Sequence, residues 1–287
     1  MIRRLDGLLQ GDYRSLFRGF GLDLADLREY QFGDDVRRID WNVTARTQVT
    51  HVREYMEDRE VTAWFLLDLS PSVDFGSEAV SKRHALTEFT GVLARLLTRH
   101  GNRVGAVFFG GAVEGVIPAR GGRRHVLHLL DALMARPALK KAPATSLSDL
   151  IRAGFDMINR RSLVFVVSDF VSTPGWEESL ALLSRRHEVL AVRLFDPMEM
   201  ELPDLGLLTL QDAETGQQLF VDTRDRGFRR RFAQAAERRE MELRAAFQRA
   251  GVDVLELSTD DDVGDSILGF ANLRKQRARS NPAQPAA

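Results

Sequence analysis

Val61-Thr62-Ala63-Trp64-Phe65-Leu66-Leu67-Asp68-Leu69-Ser70-Pro71-Ser72 is an apolar run that stops on a carboxylate and passes into a short, hydroxyl-bearing turn. A run this short and this apolar predicts a strand buried on both faces, as inside a parallel sheet. Four more runs share its character: Val104 to Phe109, Leu163 to Val167 (ending in Ser168-Asp169), Val189 to Leu194, and Val252 to Leu257. Helical patterns lie between them. Leu86, Phe89, Leu93, Leu96 and Leu97 share one helical face ahead of a Gly101-Asn102 stop. Val126, Leu129, Leu130 and Leu133 mark a second helix, and Leu147, Leu150, Ile151 and Phe155 a third, with Thr145 or Ser146 as its N-cap. Phe228, Phe232, Ala235, Leu243, Ala246, Phe247 and Ala250 mark a long fourth helix with an outer face of arginine and glutamate. This alternation predicts an α/β fold, a doubly wound and mostly parallel sheet covered on both faces.

Two regions interrupt the alternation. Residues 1–60 are charged and irregular apart from Val49 to Tyr55, which has the polar-apolar pattern of a half-exposed strand. Residues 207–222 read as a hairpin, with Leu207 to Leu210 and Gln218 to Val221 around a turn through Asp212 and Gly216. The expected organisation is an N-terminal extension (1–60) packing on a main domain (61–272) that includes the hairpin, with the extension and hairpin forming a small β-rich addition. From Arg274 the chain has basic residues without an apolar period, so 273–287 is expected to be a disordered basic tail.

With 287 residues, the chain is long enough for one large core and an appendage. A net charge of −1 gives no global field toward nucleic acid. The absence of cysteine removes disulfides, thiolate metal sites and cysteine nucleophiles, and fits a reducing cytosol. No uninterrupted apolar stretch has the roughly eighteen residues a membrane span needs. Met1 to Asp6 meets charge before any apolar run, which argues against a signal peptide. The expectation is therefore a cytoplasmic protein with no membrane span and no nucleic-acid partner.

In an open parallel sheet, ligands gather at the carboxyl ends of the strands where strand order reverses. Two of the apolar runs end in aspartate, at Asp68 and Asp169, and the first continues into Ser70 and Ser72. Carboxylates and hydroxyls are ligands for a hard cation such as magnesium, and one short loop cannot enclose it. Thr145, at the start of the third helix, offers a hydroxyl from a second loop.

Asp68-x-Ser70-x-Ser72, then Thr145, then Asp169 resembles the metal-ion-dependent adhesion site of von Willebrand factor A domains. The resemblance implies that Ser70 and Ser72 coordinate magnesium, or another divalent cation, directly. It implies that Thr145 and the aspartates bind directly or through water, and that one open position accepts a partner's carboxylate. This chain departs from the pattern by carrying Phe170 and Ala144 where the family often has glycine. A second resemblance narrows the family. Arg28-Glu29-Tyr30-Gln31-Phe32-Gly33-Asp34-Asp35-Val36-Arg37-Arg38-Ile39-Asp40-Trp41, then Phe195-Asp196-Pro197-Met198-Glu199, Leu202-Pro203 and Glu214-Thr215-Gly216, is similar to a bacterial family of unknown function, number fifty-eight in the DUF series. That resemblance implies a MoxR-type AAA+ ATPase partner and a chaperone-like role in assembling or activating client proteins.

The 28–41 segment alternates arginines with acidic residues around Tyr30, Phe32, Ile39 and Trp41, with Gly33-Asp34-Asp35 as a turn. It reads as an internally paired cap or as a partner-binding surface, with Trp41 as a core anchor. The sequence has no P-loop, no dinucleotide fingerprint and no nucleophile elbow. Asp68-Leu69-Ser70 lacks the second aspartate of a haloacid dehalogenase-type phosphatase. His125 and His128 fall one helical turn apart without a carboxylate at ligand spacing and read as surface histidines. The function expected is a non-enzymatic, metal-dependent protein-binding adaptor. A metal-dependent hydrolase using the same strand-end site is the alternative, although His84, the nearest histidine, falls on a helix.

Overall fold

The computed structural model describes residues 26–31, 34–36, 39–54, 61–76, 80–137, 145–211 and 217–280. They fall into two compact units, 62–267 and a smaller one formed by 1–61 with 268–287.

In the smaller unit, β1 (Asp26–Glu29) pairs antiparallel with β2 (His51–Glu54), and Leu27 faces Arg53. Between them lies a short helix, α1 (Trp41–Thr47). Asp40 starts it, with Oδ1 accepting from the Val43 N–H at 3.2 Å. The Gln31 N–H donates to Asp34 Oδ2 at 2.8 Å, which closes the acidic turn of the signature segment. Phe32, Gly33, Arg37 and Arg38 lie outside the described residues. Trp41 is not a core anchor. It is 68% exposed, at the first position of α1.

The larger unit is built on six strands: β3 (Thr62–Asp68), β4 (Arg103–Phe109), β5 (Val113–Arg120), β6 (Leu163–Ser168), β7 (Glu188–Phe195) and β10 (Asp253–Ser258). Their order is β10-β7-β6-β3-β4-β5, and all pairs are parallel except β4 with β5. The chain moves one way from β3 and the other way from β6, so the order reverses between these two neighbours. Five of the strands are the apolar runs. β5 is an edge strand with Gly115, Pro118 and an alternating half-exposed pattern, and proline is tolerated there because one side has no neighbour to bond.

Helices cover both faces. On one, α2 (Lys82–Arg99) packs with α3 (Arg123–Met134), and Phe65 stacks on Phe165 at 5.0 Å with Phe89 edge-on at 6.0 Å. On the other lie α4 (Leu147–Met157), α5 (Trp176–Arg186) and α6 (Arg226–Ala250), around Leu66, Val107, Val164, Val166 and Ala191. Alternate residues of one strand thus serve opposite layers, which is why the central strands β3, β4 and β6 are apolar along most of their length. At Gly154 a Cβ would lie 2.5 Å from Leu66 Cδ1, so α4 sits directly on β3 only because glycine stands there. Of the two expected cap residues, Ser146 holds the N-cap position of α4, but without a side-chain bond; Ser172 Oγ accepts the Leu147 N–H, at 2.9 Å.

The hairpin is present as β8 (Leu207–Gln211) and β9 (Gln218–Asp222), a two-stranded sheet separate from β1–β2; its turn, 212–216, lies outside the described residues. The last helix, α7 (Val263–Ser280), overruns the start of the expected disordered tail. Residues 274–279 are arginine, lysine, glutamine and alanine, all good helix formers, and no proline intervenes before Pro282. Among the described residues no helix is long and apolar enough to cross a membrane.

Candidate metal centre

Adjacent parallel strands bring the two aspartates together. Leu67 pairs with Val167 in the β3–β6 ladder, so Asp68 and the Ser168-Asp169 step leave the sheet side by side at the point of strand reversal. Asp68 is fully buried. Its Oδ1 accepts from the Ser70 N–H at 3.0 Å and its Oδ2 from Ser168 Oγ at 2.6 Å. Burial, and then the charge of Asp169, push its pKa up to about 6 against the pull of these hydrogen bonds. A cation beside the pair would relieve both causes.

Pro71 fixes the next step. With φ preset by its ring, it opens a 3-10 turn, Pro71–Asp74, closed by the Val73 N–H on the Ser70 carbonyl at 3.0 Å. The turn folds Ser72 back until its Oγ is 3.1 Å from Ser70 Oγ. Both hydroxyls are buried.

The second and third loops are tied to each other. Thr145 is buried, and its carbonyl accepts from Ser172 Oγ at 2.9 Å and from the Thr173 N–H at 3.0 Å. Its neighbours Pro143 and Ala144 lie outside the described residues. Asp169 is held at both oxygens. The Val171 N–H donates to Oδ1 at 3.0 Å, and Lys82 Nζ donates to Oδ2 at 2.7 Å. Lys82 Nζ also reaches Glu199 Oε1 at 2.8 Å. Burial alone would lower the Lys82 ammonium, but Asp169 and Glu199 outweigh it and hold it above the usual lysine value.

Phe170 occupies the position where the adhesion-site pattern often has glycine, and the reason is visible: its φ is +58°, the left-handed region that favours glycine. The ring offsets that strain by packing 5.2 Å from Trp176 and 4.8 Å from Phe247. The Phe170 N–H donates to Ser168 Oγ at 2.9 Å, so one hydroxyl fixes both the first aspartate and the turn after the second.

Asp68, Ser70, Ser72, Thr145 and Asp169 are all buried residues drawn from three loops of one sheet end. The two carboxylates and three hydroxyls are an all-oxygen donor set that fits a hard divalent cation. Among the described residues there is no group of three or more His, Asp or Glu able to hold a metal, so an ion here would depend on the hydroxyls and on an outside ligand. Sequence reasoning missed Ser168, Ser172, Lys82 and Glu199. Ser168 adjoins Asp169 and Glu199 lies in a signature stretch, whereas nothing in the sequence marks Lys82, which follows the α2 cap Ser81 as an ordinary helix-entry residue.

The strand order gives the larger unit a von Willebrand factor A-like fold. The chain belongs to the family described as "Protein of unknown function DUF58", whose profile matches residues 26–242. An uncharacterized protein of Mycobacterium tuberculosis (strain ATCC 25618 / H37Rv) is 37% identical over 282 residues, covering 96% of this chain and 87% of that one. Another, from Mycobacterium avium, is 34% identical over 168 residues, covering 56% of this chain and 95% of its own length. Among solved structures, an aerotolerance-related membrane protein from Bacteroides fragilis NCTC 9343 aligns with a TM-score of 0.50 at 12% identity, over 75% of this chain and 99% of that one. BatB from Bacteroides thetaiotaomicron aligns with a TM-score of 0.49 at 13% identity, over 75% and 99%. At 12% identity the first of these speaks to fold alone.

Proposed function

We propose that this chain is a non-enzymatic protein-binding module whose contact is completed by a divalent cation, magnesium in the first instance. Asp68, Ser70, Ser72, Thr145 and Asp169 would hold the ion, which would supply a positive centre for an Asp or Glu of the partner. The observation that carries this reading is Asp68: a wholly buried carboxylate, raised by burial and a second carboxylate, beside two hydroxyls. The bonds Asp68 makes, to the Ser70 N–H and Ser168 Oγ, bring it no positive charge, and a cation under-neutralised by its own ligands attracts an anionic oxygen and orients it. Phe75 and Val171, which follow the two loops, are exposed apolar side chains, and aromatic residues are enriched at protein interfaces. The family resemblance points to a MoxR-type AAA+ ATPase in the cytoplasm, and its client, as the partner.

The test is capture from lysate on the immobilised full chain, in magnesium and in EDTA. The expected result is an AAA+ ATPase retained only with magnesium and lost in Asp68→Ala. Undiminished capture in EDTA would sink the metal bridge. Magnesium-dependent turnover of phosphate esters that disappears in Asp169→Ala would favour the hydrolase instead.

A further inference from the structure

Lys82 breaks the usual rule for its residue type. Lysine normally keeps its ammonium in water, yet this one is 0% exposed, at the first position of α2 where the helix dipole is unfavourable to a cation. Three segments enclose it. Its own N–H donates to the Phe75 carbonyl at 2.9 Å, just past the Ser72 turn, and the Phe75 ring lies 5.8 Å from Nζ. Nζ itself joins Asp169 Oδ2 at 2.7 Å to Glu199 Oε1 at 2.8 Å.

Glu199 is fixed independently. Its Oε2 accepts the Asp196 N–H at 3.1 Å. Asp196 is fully buried, accepting from the Met198 N–H at 2.9 Å and from Thr259 Oγ1, past the end of β10, at 2.9 Å. Glu199 therefore stays in place whatever happens at Asp169. The ammonium thus has two anchors, one inside the proposed cation site and one just outside it.

Resting on the metal reading above, we infer that Lys82 is a tethered counter-cation that weakens the site's own hold on a divalent ion, so that ion and partner carboxylate are taken up together. One of the two site carboxylates is already half neutralised. A divalent ion must draw Asp169 away from the ammonium, which then rests on Glu199 alone. The arriving carboxylate restores the missing negative charge. A full charge at this range in a protein interior changes ion affinity by on the order of tenfold or more.

The experiment is calorimetric titration of the full-length protein with magnesium chloride and with manganese chloride, alongside thermal melts in EDTA and in magnesium. Lys82→Met should bind either ion at least about tenfold more tightly, and should melt lower in EDTA with a larger rise on adding magnesium. Glu199→Gln, which keeps the size of the side chain but removes its charge and one of its two accepting oxygens, should bind several-fold more weakly, because the ammonium then has only Asp169 as a charged partner. A merely structural lysine would give weaker binding in Lys82→Met. Equal or weaker binding by folded Lys82→Met, or tighter binding by Glu199→Gln, overturns the inference while leaving the metal reading intact. If Lys82→Met does not fold without metal, the Glu199→Gln titration decides. Absence of binding by wild type and both variants overturns the inference and the metal reading together.

Discussion

Ser168 and Asp68, 100 residues apart in sequence, share a buried hydrogen bond of 2.6 Å across neighbouring strand ends. Ser168 Oγ also accepts the Phe170 N–H, so this hydroxyl joins the first loop to the third without contributing to the proposed ligand set. Ser168→Ala removes a bond to a buried carboxylate and strands the Phe170 amide. It should lower stability by about 1.5–3 kcal/mol in urea unfolding. A change under about 0.5 kcal/mol would mean that the link is dispensable.

Asp68 sets a pH dependence whose sign is opposite to that of a salt-bridged aspartate. Its folded pKa, about 6, lies above the ordinary 3.8, so its stabilising contribution is complete below 3.8 and is lost as pH rises through 6. In EDTA, the stability difference between wild type and Asp68→Asn should therefore grow between pH 4 and pH 7, to the disadvantage of wild type. Magnesium should raise the wild-type melting temperature more at pH 7.5 than at pH 5. Equal magnesium shifts at both values would contradict the assignment.

Gly154→Ala places a methyl group 2.5 and 2.9 Å from the two Leu66 methyl carbons. Overpacking of this kind typically costs about 1–3 kcal/mol, read as a lowered urea midpoint at unchanged slope. Gly251→Ala, in open space but at φ +66°, isolates the backbone contribution and should cost about 1 kcal/mol.

Phe170→Ala keeps the left-handed backbone strain and loses the contacts with Trp176 and Phe247. It should destabilise by about 3–5 kcal/mol. Phe170→Gly relieves the strain and should recover about 1 kcal/mol of that loss. The comparison of the two separates packing from conformation.

The central strands were legible because a strand buried on both faces is apolar along most of its length, as Phe65 and Leu66 show by serving opposite layers, and β7 and β10 keep enough of that pattern despite Arg193 and Glu256. β5 was not, since an edge strand alternates and this one carries Pro118. Asp68 and Asp169 were legible because they end such runs. Lys82 was not, because nothing local distinguishes a buried lysine from a solvated one; its anchors Asp169 and Glu199 lie 87 and 117 residues away. Trp41 and the 274–280 helix misled for related reasons. Residue type suggested burial in one case and disorder in the other, while position in a helix decided both.

The aromatic cluster behind Phe170 has a practical consequence. Trp176, buried, has its ring 5.2 Å from that of Phe170, which directly follows Asp169 in the chain. Any rearrangement of the Asp169 loop is passed to the indole through van der Waals contact. Trp41 is exposed and emits at longer wavelength; Trp64, the third tryptophan, is partly buried, so replacing it by phenylalanine leaves two signals that separate spectrally. With Trp64→Phe the protein carries its own optical probe, and the ion uptake proposed above can be tested without a label by the colour of its fluorescence.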